Sequence, residues 1–341
     1  MTCAAAILGC AGPVLTPAEK AFFADVRPWG FILFKRNVET PEQVRALTAE
    51  LRWTVQRADA PILIDQEGGR VQRLGPPHWR RYPPGAAYGG LASNDPLLRR
   101  EVTRLGARLM AHDLAALGVN VDCLPVLDVP DPGGHEIIGD RAYGPGPDDV
   151  ALLGRAAAEG LIAGGVLPVI KHIPGHGRAK ADSHLELPVV EAGWEELEAR
   201  DFAPFQALSD MPMAMTAHVI YAAVDRKRPA TTSRSVLRRV VRGAIGFDGL
   251  LMTDDLSMKA LKGGFRERAE AARAAGCDVV LHCNGDMAEM KAVIAGAGQL
   301  GGRGLRRAQA ALARLPKSVE PFDAAEGRAR FDAAFQGKWA A

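Results

Sequence analysis

Fourteen residues, Lys171 to His184 (KHIPGHGRAKADSH), hold three histidines, two lysines, an arginine and an aspartate, interrupted by Pro174, Gly175 and Gly177. That composition is expected of a surface loop rather than a core, and polar loops carried by a rigid scaffold are where chemistry concentrates. Asp182 and His184 stand two residues apart, a spacing that turns both side chains to one side of an extended chain. A carboxylate beside an imidazole orients it and favours its protonated form, which makes a general acid/base pair. Ser183 between them points the other way and is a poor nucleophile. A second segment, MTDDLSM at 252–258, ends an apolar run in two carboxylates. Asp254 follows directly on that run, and Asp255 faces elsewhere if the chain stays extended; one of the two is a candidate nucleophile and the other a helix cap or a supporting partner. A carboxylate nucleophile with a mobile acid/base suits double displacement at an acetal carbon. Glycosidases normally use two carboxylates for this; here His184 would take the second part.

Something must bring these groups together. Eight short apolar segments alternate with amphipathic stretches: Ala4–Cys10, Gly30–Phe34, Pro61–Ile64, Val119–Leu127, Leu167–Lys171, Pro212–Ala217, Leu250–Thr253 and Cys277–His282. Near-continuous apolar runs are expected of parallel strands buried on both faces. Residues 41–57 carry Val44, Leu47, Leu51 and Val55 at helical spacing, and residues 96–117 and 148–164 behave likewise. Pro17, Pro41 and Pro96 follow Thr16, Thr40 and Asp95, a cap followed by proline in the first turn. The alternation predicts an α/β fold, a single (β/α)8 TIM-type barrel. It would form one catalytic domain over residues 1–341, with 315–341 as a C-terminal appendage. Gly9-Cys10-Ala11-Gly12 runs into Pro13 and lacks the G-x-G-x-x-G spacing of a dinucleotide fold.

A barrel places its catalytic groups at the C-terminal ends of its strands. Polar residues fall there in this sequence: Lys35-Arg36-Asn37, Asp65 to Arg73, Asp128 with Asp140-Arg141, Lys171-His172, His218, Asp254-Asp255, and His282 with Asn284. Plainer roles compete. Asp65 or Asp128 could cap the following helix or pair with an arginine, Arg70 and Arg73 could be structural ion-pair partners, and His218 and His282 suit satisfied packing histidines. His78, His112 and His135 read as surface residues. His172 and His176 have the spacing of a helical zinc pair, but Pro174-Gly175 between them opposes a helix, and the glutamate of a metalloprotease helix is missing. His172, His176, His184 and Asp182 would be competent ligands, yet a metal-free site is expected, with no cofactor.

The chain has 341 residues, 48% hydrophobic and 24% charged, with net charge +2, which excludes a strong electrostatic pull toward nucleic acid or anionic membrane. Cys3, Cys10, Cys123, Cys277 and Cys283 form no CxxC pair and read as buried free thiols of a reducing compartment. The N-terminus lacks a basic region before its short apolar run, and no run reaches the ~20 apolar residues of a membrane span. A cytoplasmic monomer acting on a small molecule, without nucleic-acid or membrane partners, is expected.

At these same residues the chain resembles bacterial β-N-acetylglucosaminidases of glycoside hydrolase family 3, in particular the single-domain enzymes of peptidoglycan recycling. The family's K-H-F-P-G-H-G…D-S-H segment stands here as KHIPGHGRAKADSH, with Ile173 in place of Phe. DQEGGRVQR is intact at 65–73, IGDR at 138–141 and TDDLSM at 253–258. The resemblance extends from Phe31 to the eighth strand. It implies a retaining glycosidase in which Asp254 forms a glycosyl-enzyme intermediate, His184 is the acid/base and Asp182 its partner. It also implies that Asp65, Arg73, Arg141, Lys171 and His172 hold the hydroxyls of a terminal N-acetylglucosamine, as charged groups suited to strong hydrogen bonds. The implied substrate is N-acetylglucosaminyl-1,6-anhydro-N-acetylmuramic acid, with or without peptide. A phosphorylase using the same residues, a metal-dependent hydrolase and a non-catalytic sugar-binding barrel are the rival expectations.

Overall fold

Eight parallel strands close into a barrel in the computed structural model, which describes residues 3–91, 95–179, 183 and 186–339. They are β1 (Ala4–Gly9), β2 (Pro28–Leu33), β3 (Ile62–Ile64), β4 (Val121–Asp122), β5 (Leu167–Ile173), β6 (Met213–Thr216), β7 (Leu250–Asp255) and β8 (Val279–His282). Each pairs with its neighbours in sequence, and β1 pairs with β8 in the register Ala6↔Val280 to shut the ring. All eight lie within or overlap the segments expected from the apolar runs. β5 and β7 run two residues past the expected ends, which carries His172, Ile173, Asp254 and Asp255 into strand.

The continuous apolar runs reflect two separate cores. Alternate strand residues point to opposite faces. Ile7, Leu63, Val169, Met213, Met215, Met252 and Leu281 fill the barrel. Their neighbours Leu8, Ile64, Ile170, Ala214 and Leu251 pack outward under the helices. A barrel of this strand number is filled by side chains, so ligands can enter only above that packing.

The helices begin where capping chemistry predicts. Thr16 accepts from Glu19 N while Glu19 accepts from Thr16 N, and Pro17 starts the helix Pro17–Val26. Thr40 accepts from Gln43 N and Asp95 from Leu97 N to cap Pro41–Thr54 and Pro96–Ala115, again with proline in the first turn. After the barrel, the helix Ala324–Ala334 buries Phe331 against Tyr82 and Tyr88. All five cysteines are buried free thiols. No described helix is long and apolar enough to cross a membrane.

Candidate active site

A small cavity of about 190 Å³ opens at the C-terminal rim of the barrel. Its walls include Asp65, Glu67 and Arg73 from beyond β3, Arg141 from beyond β4, Lys171 and His172 from β5, Met215 from β6, Asp254 and Asp255 from β7, and Cys283 from beyond β8. Of the residues expected at this rim, Asp65, Arg73, Arg141, Lys171, His172, Asp254 and Asp255 line it. A roomier hollow of about 610 Å³ lies at the opposite rim, beside Pro212 and Gly249, and holds arginines and aspartates but no imidazole. The rim with converging carboxylates, cations and an imidazole is the chemical one. Its volume lies below that of typical drug-sized sites, which suits one small ring.

One wall is a chain of alternating charges. Arg73 Nη2 lies 2.9 Å from Asp65 Oδ2, and Lys171 Nζ lies 3.0 Å from Asp65 Oδ1 and 2.7 Å from Glu67 Oε1. Arg141 grips Glu67 through two parallel bonds of 2.8 Å. Lys171 and Glu67 are only 2% and 4% exposed, so these two charges are desolvated and depend on their partners. Burial pushes the Asp65 and Glu67 carboxyls up, but the Lys171 cation with Arg73 or Arg141 outweighs it: Glu67 settles at about 2, and Asp65 falls well below the usual carboxylate range. The wall keeps donors in reserve. Lys171 uses two of its three N–H bonds on carboxylates, and the buried Arg73 Nε has no partner among the described residues.

Glu67 is the residue the motif analysis did not single out. The local fold explains its position. Gln66–Gly68 and Val71–Gln72 form a short antiparallel hairpin beyond β3. Gly68 at φ +94° makes its turn, and a Cβ there would stand 2.2 Å from Pro83 O. The buried Gln66 accepts from Arg73 N and Leu74 N at 3.0 Å and donates to Leu74 O, which folds Arg73 back over Asp65. Asp65 and Glu67 stand two apart in extended chain, so they share a side; that spacing was the available signal.

The second wall is imidazole and carboxylate. The histidine-rich segment is not a surface loop in its first half. Lys171, His172 and Ile173 lie in β5, and His176 is buried with them. Ile173, where the family has Phe, is fully buried in the outer core. Gly177 explains part of the close packing, since a Cβ there would meet Val129 O at 1.9 Å. Asp128 is neither a helix cap nor an arginine partner. Its Oδ2 holds His172 Nδ1 at 2.7 Å, and its Oδ1 accepts the backbone N–H of His172 and of His176. Burial raises the Asp128 carboxyl, the His172 ring overcomes this, and the group settles at about 2. Asp128 thus fixes which edge of His172 faces the cavity. Asp128→Asn is expected to keep the fold and lower kcat/KM for a sugar substrate roughly tenfold to a hundredfold, the worth of one charge-assisted hydrogen bond. Unchanged kcat/KM would show that the orientation of His172 does not matter.

Burial and the neighbouring His172 lower His176 to about 4, so it is neutral near pH 7. Its Nε2 lies 3.1 Å from Ser183 Oγ. Ser183 is buried, and its carbonyl accepts Ala260 N, which ties this part of the chain to the segment after β7. Asp182 and His184 lie outside the described residues.

Asp254, half-buried, stands one residue before the end of β7 at the cavity and accepts the N–H of Asp255 at 2.8 Å. Asp255 is locked: its Oδ1 accepts from Ser257 N and Cys283 N, and its Oδ2 from the Ser257 hydroxyl. Beneath it, the buried His218 Nε2 donates to Asp255 O at 3.0 Å. A carbonyl only accepts, and burial lowers this imidazole, so Nε2 carries the proton and Nδ1 faces the Thr231 hydroxyl at 2.7 Å. His218 is therefore a satisfied packing histidine that also anchors the end of β7. His282 departs from that expectation. It is fully buried against Phe265, but neither nitrogen makes a hydrogen bond among the described residues; Nε2 only approaches Glu289 at 3.2 Å. Arg70 pairs with Asp140 on the exposed rim, as a structural partner would. His78, His112 and His135 are exposed. Among the described residues no three His, Cys, Asp or Glu side chains gather to hold a metal ion.

The family model described as glycosyl hydrolase family 3 N terminal domain matches residues 18–315. A β-hexosaminidase of Methylococcus capsulatus is 42% identical over 277 residues, covering 80% of this chain and 80% of that one. A family 3 β-N-acetylglucosaminidase from Paenibacillus sp. superposes with a TM-score of 0.85 at 31% identity, over 97% of this chain and 67% of that one. NagZ from Neisseria gonorrhoeae in complex with N-trifluoroacetyl-D-glucosamine superposes with a TM-score of 0.81 at 32% identity, over 98% of both chains.

Proposed function

The chain belongs to glycoside hydrolase family 3, and from that we propose that it is a retaining exo-β-N-acetylglucosaminidase, taking terminal N-acetylglucosamine from muropeptides and anhydromuropeptides during cytoplasmic cell-wall recycling. The observation that carries the proposal is the small rim cavity in which Asp254 faces the charge-locked wall of Asp65, Arg73, Glu67, Arg141 and Lys171.

In the proposed reaction the sugar ring lies in that cavity. Asp65, Arg73, Arg141, Lys171 and His172 bind its hydroxyls. The ion pairs already hold these groups in place, so little ordering is left to be done when the ring arrives. The Asp254 carboxylate attacks the anomeric carbon while His184 gives its proton to the departing glycosidic oxygen. A covalent glycosyl-aspartate results. His184 then takes a proton from water, water attacks the same carbon, and the Asp254 carboxylate leaves. The two displacements retain the anomeric configuration. Asp182 keeps the His184 imidazole oriented and favours its protonated form.

The test is hydrolysis of an aryl β-N-acetylglucosaminide beside its β-glucoside analogue. Cleavage of the first, with a β-anomeric product and little action on the second, is expected. No cleavage of either would overturn the proposal. Phosphate that raises turnover and yields a sugar 1-phosphate would replace water as the acceptor. For the acid, His184→Ala is expected to slow a disaccharide substrate roughly a hundredfold more than an aryl glycoside with an activated leaving group, because only a poor leaving group needs the proton. Equal losses on both would remove His184 from that role.

A further inference from the structure

A second cleft of about 560 Å³ lies beside the sugar cavity, and the two share one partition. Met258 faces the sugar cavity, while Ala260, Leu261 and Lys262, close behind it in the chain, line the cleft. Leu187, Pro229 and the helix Phe265–Ala275 complete its walls. Its charges are unevenly satisfied. Glu267 caps its own helix by accepting Gly264 N, and Glu270 pairs with Arg266. Arg268 is spent on the carbonyls of Gly263, Leu256 and Met258, which stiffens the partition. Lys227, Arg228 and Lys262 are exposed, and their side chains make no ion pair or hydrogen bond among the described residues. Lys227, Arg228 and Lys262 therefore face a cleft in which Glu270 is paired with Arg266 and Glu267 is held at the helix start, with Arg228 also drawn to Asp225.

The proposed chemistry gives this cleft a direction. A general acid protonates the glycosidic oxygen, so the leaving group must lie on the acid's side of the ring. Ser183 and Leu187 flank His184 in the chain. Ser183 O binds Ala260 N in the partition, and Leu187 lines the cleft itself. We infer that the cleft of Lys227, Arg228 and Lys262 is a subsite for carboxylate groups carried by the leaving group, selecting acidic aglycones over neutral ones. The inference depends on the glycosidase function proposed above.

The triple variant Lys227→Ala/Arg228→Ala/Lys262→Ala changes only exposed side chains outside the catalytic wall. Its kcat/KM for a neutral aryl β-N-acetylglucosaminide is expected to stay within about twofold of wild type, since nothing it removes touches the sugar. For N-acetylglucosaminyl-1,6-anhydro-N-acetylmuramoyl peptide it is expected to fall on the order of tenfold, mostly in KM, the sum of several exposed charge contacts. The same substrate with its carboxyls amidated should lose nothing, and added salt should erase the wild-type preference for the acidic form. Equal kcat/KM of wild type and variant on the acidic peptide, or equal losses on acidic and amidated forms, would overturn the subsite. A wild type that hydrolyses none of the three would instead overturn the glycosidase function, and the subsite with it.

Discussion

Asp254→Ala abolishes turnover of an aryl β-N-acetylglucosaminide, by an expected drop on the order of 10⁴-fold or more in kcat, in a protein whose thermal midpoint stays within a few degrees of wild type. Losing the nucleophile removes the covalent route itself, and residues that act as a unit in such routes cost this much when deleted singly. The fold survives because the strand end is held without the carboxylate. His218 Nε2 donates to Asp255 O, Leu256 N reaches Leu281 O, and Asp255 is clamped by Ser257 and Cys283. The shortened side chain also leaves room for a small anion at the anomeric carbon. With an activated aryl substrate, added azide is expected to displace the phenolate directly, restoring turnover and giving the α-glycosyl azide. One displacement in place of two inverts the configuration, so this product reports the missing step. Near-normal activity without azide would place the nucleophile elsewhere, and a β-azide would show that a covalent intermediate still forms.

The residues that proved legible in the sequence were those at strand ends. β7 ends in Asp254-Asp255 and β5 carries Lys171-His172 near its end because an apolar run buried on both faces can stop only where the chain leaves the packed core. The first polar residue there marks the rim. Asp65 was visible for the same reason. The segment beyond β3 was harder to read. Its hairpin of Gln66–Gly68 and Val71–Gln72 is made by a side chain, Gln66, and by the positive φ of Gly68 and Gly69, neither of which leaves a periodic trace. Glu67 therefore hid inside a motif whose neighbours drew the attention. Asp128 shows a different limit. Its place at the rim was readable, but its partner was not: the choice between arginine, helix terminus and imidazole depends on how β5 is set beside the segment after β4, with Leu127 N bonded to Lys171 O. The histidine-rich segment misled for a physical reason too. Its composition suits a loop, yet β5 continues through Ile173, because Lys171 and His172 find partners in Asp65, Glu67 and Asp128.

Glu67→Gln is expected to destabilise the protein at pH 7 by about 3–5 kcal/mol, the usual effect of removing one member of a buried ion pair, and to raise KM for N-acetylglucosaminides roughly tenfold or more. The amide keeps the shape but replaces one accepting oxygen by a donor. With its one oxygen at the Oε1 position the amide still accepts from Lys171 and from Arg141 Nη2, but Arg141 Nε faces an N–H and both cations lose the counter-charge. Both cations are nearly buried, so water replaces the lost partner poorly. Both are also proposed sugar ligands, which couples stability to KM. The pH dependence separates this account from a loss of packing. The folded protein holds Glu67 at about 2, below its ordinary value of 4.5. A depressed carboxylate contributes its full stability above the unfolded value and loses it as pH falls through the folded value. The gap between wild type and variant should therefore be complete above about pH 5 and narrow progressively between about pH 4.5 and 2 in denaturant unfolding. A gap that stays constant through that window would mean that shape, not charge, holds this wall. A variant with wild-type KM would mean that Arg141 and Lys171 keep their places without Glu67.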